Sequence, residues 1–256
     1  MSVKRPRIEM NPEFSERLCL APHVRARRVA SHVVLLDLKR NEYSAATDPD
    51  ASDLARWIVN WPASSTAVAV HSIDGTPPRV APSLLREMSL AGMIVAAHPP
   101  PKTSSENCVE LPTQSIADSY ATSRRLATFR DAYNMARAVS LTRAMLTFRT
   151  LEWITNRFTV RRQRALGHSR NYNNRELHDV ASMFHRLRLF FYTPLDACLF
   201  DTIAFGEFLA LYRFFPTWVF GVAVEPFRAH CWLQNRSTLL SGNLRSVLDY
   251  EPIAVV

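Results

Sequence analysis

The segment PLDACLFDTIAF, Pro194 to Phe205, sets a cysteine close to the start of an almost wholly apolar stretch of helical character. A thiol there sits among unpaired backbone N–H groups and at the positive end of the helix dipole, which stabilise a thiolate and can hold an oxyanion. Two starts of that helix are open. Capped by Asp196, Cys198 falls in the first turn; capped by Thr193, with Pro194 first and Asp196 closing a capping box, it lies a turn deeper. A thiol nucleophile needs a base, and His230 in EPFRAHCWLQ lies on a predicted strand after one helix and one hairpin. On that strand His230, Trp232 and Gln234 share one face and Cys231 and Leu233 the other, which assigns Cys231 to the core and not to partnership with His230. By spacing alone both a catalytic thiol–imidazole pair and a buried small hydrophobe beside a structural histidine stand. Trp232 either walls such a pair from water or fills the core.

The remaining potential ligands make no site of their own. Cys19, Cys108, Cys198 and Cys231 show no CxxC spacing, which indicates neither zinc nor a disulfide framework. His168, His178 and His185 have no metal-ligand spacing. No metal and no cofactor is expected. A reducing, cytoplasmic setting follows from the cysteine usage and from the first 30 residues, which carry no secretory signal pattern.

The elements that must position Cys198 and His230 fall in two regions. With 256 residues the chain has room for one large domain or two ordinary ones. From Val24 to Ala46 alternating and β-branched text broken at Arg40-Asn41 predicts two or three short antiparallel strands. DPDASDLARWIVNW predicts a helix capped by Asp48 or Asp50, with Leu54, Trp57, Ile58 and Trp61 as its apolar stripe. SLLREMSLAGMIV predicts a second helix with Ser83 as cap. The Pro, Ser and Thr-rich stretch from His98 to Ser115 reads as a linker.

From Ala117 to Phe191 the period is helical. The basic interval from Arg157 to Arg175 reads as a solvated or partner-facing loop, with aromatics too sparse for stacking nucleic-acid bases. After the Cys198 helix, TWVFGVAV, AHCWLQ, STLLSG and PIAVV read as strands. The apolar run from Phe190 to Val224 is interrupted by charges and prolines, so it is core and not a membrane span. The 31 Lys+Arg against 23 Asp+Glu give a net charge of +8, which suggests an acidic or phosphate-bearing partner without identifying one.

The strings CLFDTIAFGEFL, FPTWVFGV, EPFRAHCWLQ and the ending YEPIAVV, in that order and spacing, closely resemble the transglutaminase-like cysteine peptidases of lasso-peptide biosynthesis, the B proteins that remove leader peptides. The likeness covers roughly residues 185 to 256. The first half looks like the precursor-recognition domain fused to these peptidases in proteobacteria, by architecture more than by motif. The implied fold is α+β: a small winged-helix-like, three-stranded module over residues 1–100, a linker over 101–116, and a papain- or transglutaminase-like domain over 117–256.

The resemblance implies that Cys198 is the nucleophile and His230 its general base and acid. It also implies two partners, the leader region of a precursor peptide and an ATP-dependent cyclase. The family's third member, an aspartate that orients the histidine, normally follows leucine and asparagine on the next strand. Here that segment reads LLSGN, and Gly242 occupies the aspartate's position. Asn243, Asp249 and Asp201 are the candidate substitutes, Asp201 having a buried hydrogen-bonded carboxylate as its alternative role. A binding-only scaffold and an acyltransferase remain the other functional readings. Leader recognition is expected by strand addition along Glu42, Tyr43, Ser44, Ala45 and Ala46, with Trp57 and Trp61 lining a groove or closing a small core.

Overall fold

The computed structural model describes residues 18–48, 50–62, 82–96, 109–117, 125–166, 174–193 and 198–256. The chain packs as two units, one of residues 1–35 with 45–106 and the other of residues 36–44 with 107–256. Asp196 and Cys108 lie outside the described residues, as does His168.

In the first unit, β1 (Leu18–Leu20) pairs antiparallel with β5 (Ile94–Ala96). β2 (Val24–Val29), β3 (His32–Asp37) and β4 (Glu42–Thr47) form a three-stranded sheet in chain order, so β4 is an edge. The inward faces follow from alternation: Val33 and Leu35 enter a core with Leu18, Leu20, Leu54 and Ile58. The turn after β3 is built by Asp37, whose carboxylate accepts from the Lys39 N–H at 2.8 Å and the Arg40 N–H at 3.2 Å. This turn end of the hairpin, residues 36–44, packs with the second unit, where the Glu152 N–H donates to the Leu38 carbonyl at 2.8 Å.

The helix expected from Asp48 to Trp61 is cut short. α1 spans only Asp50–Leu54, and turns follow to Asn60. The cause is tertiary: Ile58 bridges to Leu18, the Val59 N–H donates to the Leu18 carbonyl at 2.9 Å, and the Asn60 side chain accepts from the Leu20 N–H at 2.7 Å. Pairing with β1 outweighs helix propensity. Trp61 is buried in the core and Trp57 packs half-buried against it. The second helix, α2 (Pro82–Leu90), begins at Pro82, consistent with proline's preference for the first position, so Ser83 lies inside the helix and is not its cap.

In the second unit, α3 (Phe129–Phe148), α4 (Leu151–Leu166) and α5 (Asn174–Leu187) precede α6 (Cys198–Leu211). A capping box between Thr128 and Asp131 starts α3. The basic interval is not a loop over its first half, since Arg157 to Leu166 continue α4. α6 is buried on nearly all sides, as its unbroken apolar text requires. The sheet runs β10 (Glu251–Val255), β7 (Thr217–Ala223), β8 (Arg228–Asn235), β9 (Thr238–Leu239), β6 (Gln114–Ser115). It is antiparallel except at β6–β9, and β6 lies within the stretch that reads as linker. A short helix, α7 (Arg245–Leu248), links β9 to β10. Among the described residues no helix is long and apolar enough to cross a membrane.

Candidate active site

The site forms where one side of β8 lacks a neighbouring strand. β9 pairs with β8 only at Gln234 and Asn235, so the earlier residues of β8 have β7 on one side and, among the described residues, no strand on the other. Alternate residues of an antiparallel strand turn their backbone groups to opposite sides. Leu233 sets the phase: its carbonyl accepts from the Leu240 N–H at 2.9 Å and its N–H donates to Ser241 Oγ at 3.3 Å, both away from β7. Cys231 is in the same phase, and α6 occupies its open side. The Thr202 hydroxyl donates to the Cys231 carbonyl at 3.1 Å, and the Cys231 N–H is a hydrogen-bond donor to the Cys198 sulfur.

This docking explains how one thiol meets two neighbours whose side chains leave opposite faces of a strand. Thr202 lies one turn after Cys198 on the same helix face. Its hydroxyl oxygen lies 3.5 Å from the Cys231 sulfur, so the α6–β8 register sets Cys198 at the edge beside the step from His230 to Cys231. Hydrogen bonds from the Cys231 thiol and then from His230 outweigh burial and bring the Cys198 pKa down to about 4. The Cys231 thiol is driven the other way, by its bond to Cys198 and by burial. At neutral pH Cys198 is therefore the thiolate and Cys231 the neutral donor. The half-buried Cys198 stands at the first residue of α6, where the helix dipole acts in the same direction.

His230 is held by rings. The Trp232 ring lies 6.2 Å from it at an interplanar angle of 22°, and the Tyr250 ring 5.5 Å from it. Trp232 is fully buried, its indole N–H donating to Gln234 Oε1 at 2.8 Å, while the Gln234 amide donates to the Glu110 and Arg236 carbonyls at 2.7 Å. Trp232 thus both fills the core and walls the histidine. The residue paired with His230 on β7 is Gly221, and a Cβ there would fall 2.6 Å from the Trp232 ring and 2.8 Å from the Tyr250 Cβ. Only glycine leaves room for this arrangement.

Two of the three candidate orienters have other partners. Asp201 accepts from Arg188 Nη1 at 2.8 Å and from the Tyr192 hydroxyl at 2.6 Å, its alternative structural role. Asn243 is exposed and its side chain accepts from the Arg245 N–H at 3.0 Å, capping the turn into α7. Asp249 is exposed at the other end of α7. Gly242 adopts φ +82°, its carbonyl accepting from Ser115 Oγ at 2.9 Å. His185 is a core residue: its Nε2 lies 3.0 Å from the Leu240 carbonyl, and burial lowers its pKa to about 3, so it is neutral. Among the described residues no three His, Cys, Asp or Glu side chains converge as a metal site.

Sequence reasoning missed two neighbours of the thiolate. Cys231 is buried as expected, yet its thiol is the strongest influence on Cys198, through edge geometry that face alternation does not reveal. Tyr43, on β4, packs its ring 5.7 Å from Phe227. Burial first, then electrostatic interaction with the two thiols, pushes its hydroxyl pKa above the usual range. The other predicted leader-binding positions on β4 are exposed at Glu42, Ser44 and Ala45 and half-buried at Ala46.

Residues 119–255 match the family model of the transglutaminase-like superfamily, and the chain belongs to that superfamily. Its members typically have a cysteine-protease-like or acyltransferase-like fold, and a thiolate at a helix start beside an imidazole is the chemistry such a fold serves. No curated protein and no solved structure gives a significant match to the chain.

Proposed function

We propose that the protein is a leader peptidase that hydrolyses one peptide bond in a ribosomally made lasso-peptide precursor, releasing the core peptide for macrolactam closure by an ATP-dependent cyclase. The observation that carries the reading is the Cys198 thiolate, held near pKa 4 by Cys231 and His230 at the start of α6. The sulfur attacks the carbonyl at the leader–core junction, and the first-turn amides of α6 stabilise the oxyanion. His230 delivers a proton to the departing amine, the C–N bond breaks, and a leader thioester remains on Cys198. His230 then takes a proton from water, whose oxygen displaces the sulfur. With Gly242 at the family's aspartate position, the imidazole is oriented by the rings of Trp232 and Tyr250.

Leader capture falls to β4. It is an edge strand with most of its side chains exposed, which suits addition of an extended peptide, and Trp57 beside the core offers an apolar contact. Tyr43 on that strand is in electrostatic reach of both thiols.

The test is mass spectrometry of a leader-bearing lasso precursor incubated with the protein and its cyclase, with Cys198→Ala in parallel. Free leader from the native protein and none from Cys198→Ala is expected. Intact precursor from both would make the protein a binding scaffold, and an amine adduct on the leader would make it an acyltransferase.

A further inference from the structure

A cavity of about 500 Å³ opens between α3, α4 and the C-terminal end of α6. Its floor is apolar, with Ala138, Leu141 and Leu211, but its walls carry Arg137, Arg157, Arg161, Arg164 and Arg213 against a single carboxylate, Glu207. Glu207 is buried and one of its oxygens accepts from both Arg161 Nη1, at 2.6 Å, and Arg157 Nε, at 3.4 Å. The pairing fixes two guanidiniums in place without neutralising them both. The cavity's lining on α6, Glu207 to Leu211, begins nine residues after Cys198, roughly 14 Å at the helical rise, so it is not part of the thiol site.

Two observations set this cluster apart from an ordinary solvated face. The first is the charge balance. Arginines near helix C-termini commonly answer the helix dipole, yet the ends of α4 and α6 each present only roughly half a negative charge. Even with Arg164 left out, those two ends with Glu207 leave an excess of about two positive charges around one concavity. The second is backbone conformation. Arg213 follows α6 at φ +64°, with its N–H donating to the Ala210 carbonyl at 3.0 Å and the Phe214 N–H to the Leu209 carbonyl at 3.0 Å. That left-handed position after a helix is the one glycine normally fills. An arginine there is disfavoured by its Cβ, and its side chain lines the cavity.

We infer that this cavity binds a compact, multiply charged oxyanion, either a phosphate ester or a polycarboxylate, clamped by Arg137, Arg157, Arg161 and Arg213. Guanidiniums meet both kinds of oxygen bidentately, and the volume is that of a small-ligand site. The concave shape, with Phe215 as one aromatic in the lining, argues against the run of stacking rings that a nucleic-acid strand needs.

Thermal melting and titration calorimetry on the full chain test this, using pyrophosphate and citrate against sodium chloride at equal ionic strength. At least one of the two anions is expected to raise the melting temperature and bind at one site; which one does so separates the phosphate from the carboxylate source. Arg213→Gly is expected to keep or raise the melting temperature of the unliganded protein, because glycine suits the left-handed backbone, while weakening anion binding about tenfold through lost charge-assisted hydrogen bonds. Arg137→Gln should weaken binding in the same way without unfolding the protein. No stabilisation by either anion beyond sodium chloride, or unchanged binding in both variants, would overturn the site.

Discussion

Replacing Cys231 by alanine should change the titration of Cys198 without removing the nucleophile. The Cys231 thiol is the largest single influence lowering the Cys198 pKa to about 4, ahead of His230, and burial opposes both. A hydrogen bond to a charged group contributes about 1.5–3 kcal/mol, and each pKa unit corresponds to about 1.4 kcal/mol. Loss of the bond therefore raises Cys198 by roughly one to two units, to about 5–6, still below neutrality. The sign is that of an acid whose charged form loses stabilisation: the thiolate persists at high pH and disappears sooner as pH falls. At about pH 5 the thiolate fraction should drop from roughly nine-tenths to between roughly a half and a tenth, while near pH 7 it hardly changes. The assay is the rate of iodoacetamide alkylation of Cys198 from pH 3 to 8, followed by mass spectrometry of its peptide, with leader release over the same range. An unshifted or lowered midpoint in Cys231→Ala would refute the claim that this buried thiol is a hydrogen-bond donor to the nucleophile.

Three further outcomes follow from the same geometry. Gly221→Ala drives a Cβ into the Trp232 ring and Tyr250, so it should destabilise the domain by about 1–3 kcal/mol and, by displacing His230, slow leader release on the order of a hundredfold; a fully active variant would show that ring packing does not position the histidine. Gly242→Asp places a carboxylate at φ +82°, where a side chain costs roughly 1–2 kcal/mol, so melting should fall by a few degrees with no gain in cleavage rate; faster cleavage would mean the carboxylate reaches His230. Ser44→Pro and Ala45→Pro remove consecutive N–H groups of β4, of which one faces β3 and the other the open edge. One of the pair should lower stability and the other should weaken binding of fluorescent leader at unchanged stability, and native-like binding in both would place leader capture elsewhere.

What was legible in the chain was whatever local periodicity encodes. Helical period from Ala117 onward became α3, α4 and α5; the apolar text after Pro194 became the buried α6; and alternation in TWVFGVAV and AHCWLQ became β7 and β8. Cys198 at a helix start and His230 on a strand could be singled out because residue type and element type are both local properties. Where local preference was weak, partners distant in sequence decided. β1 and β6 are too short to carry a pattern, the helix after Asp48 ends at Leu54 because Ile58 and Asn60 bond to β1, and Arg157 to Leu166 of the arginine-rich interval stay helical. Only the tertiary structure shows that β9 stops short and leaves the Cys231 backbone open to α6, that Cys231 and Tyr43 are electrostatically coupled to Cys198, and that Asp201 and Asn243 have other partners. Face alternation along one strand says where its side chains point. It cannot say which edge a neighbouring strand leaves uncovered, and at that edge residues from both faces meet the helix that carries the thiol.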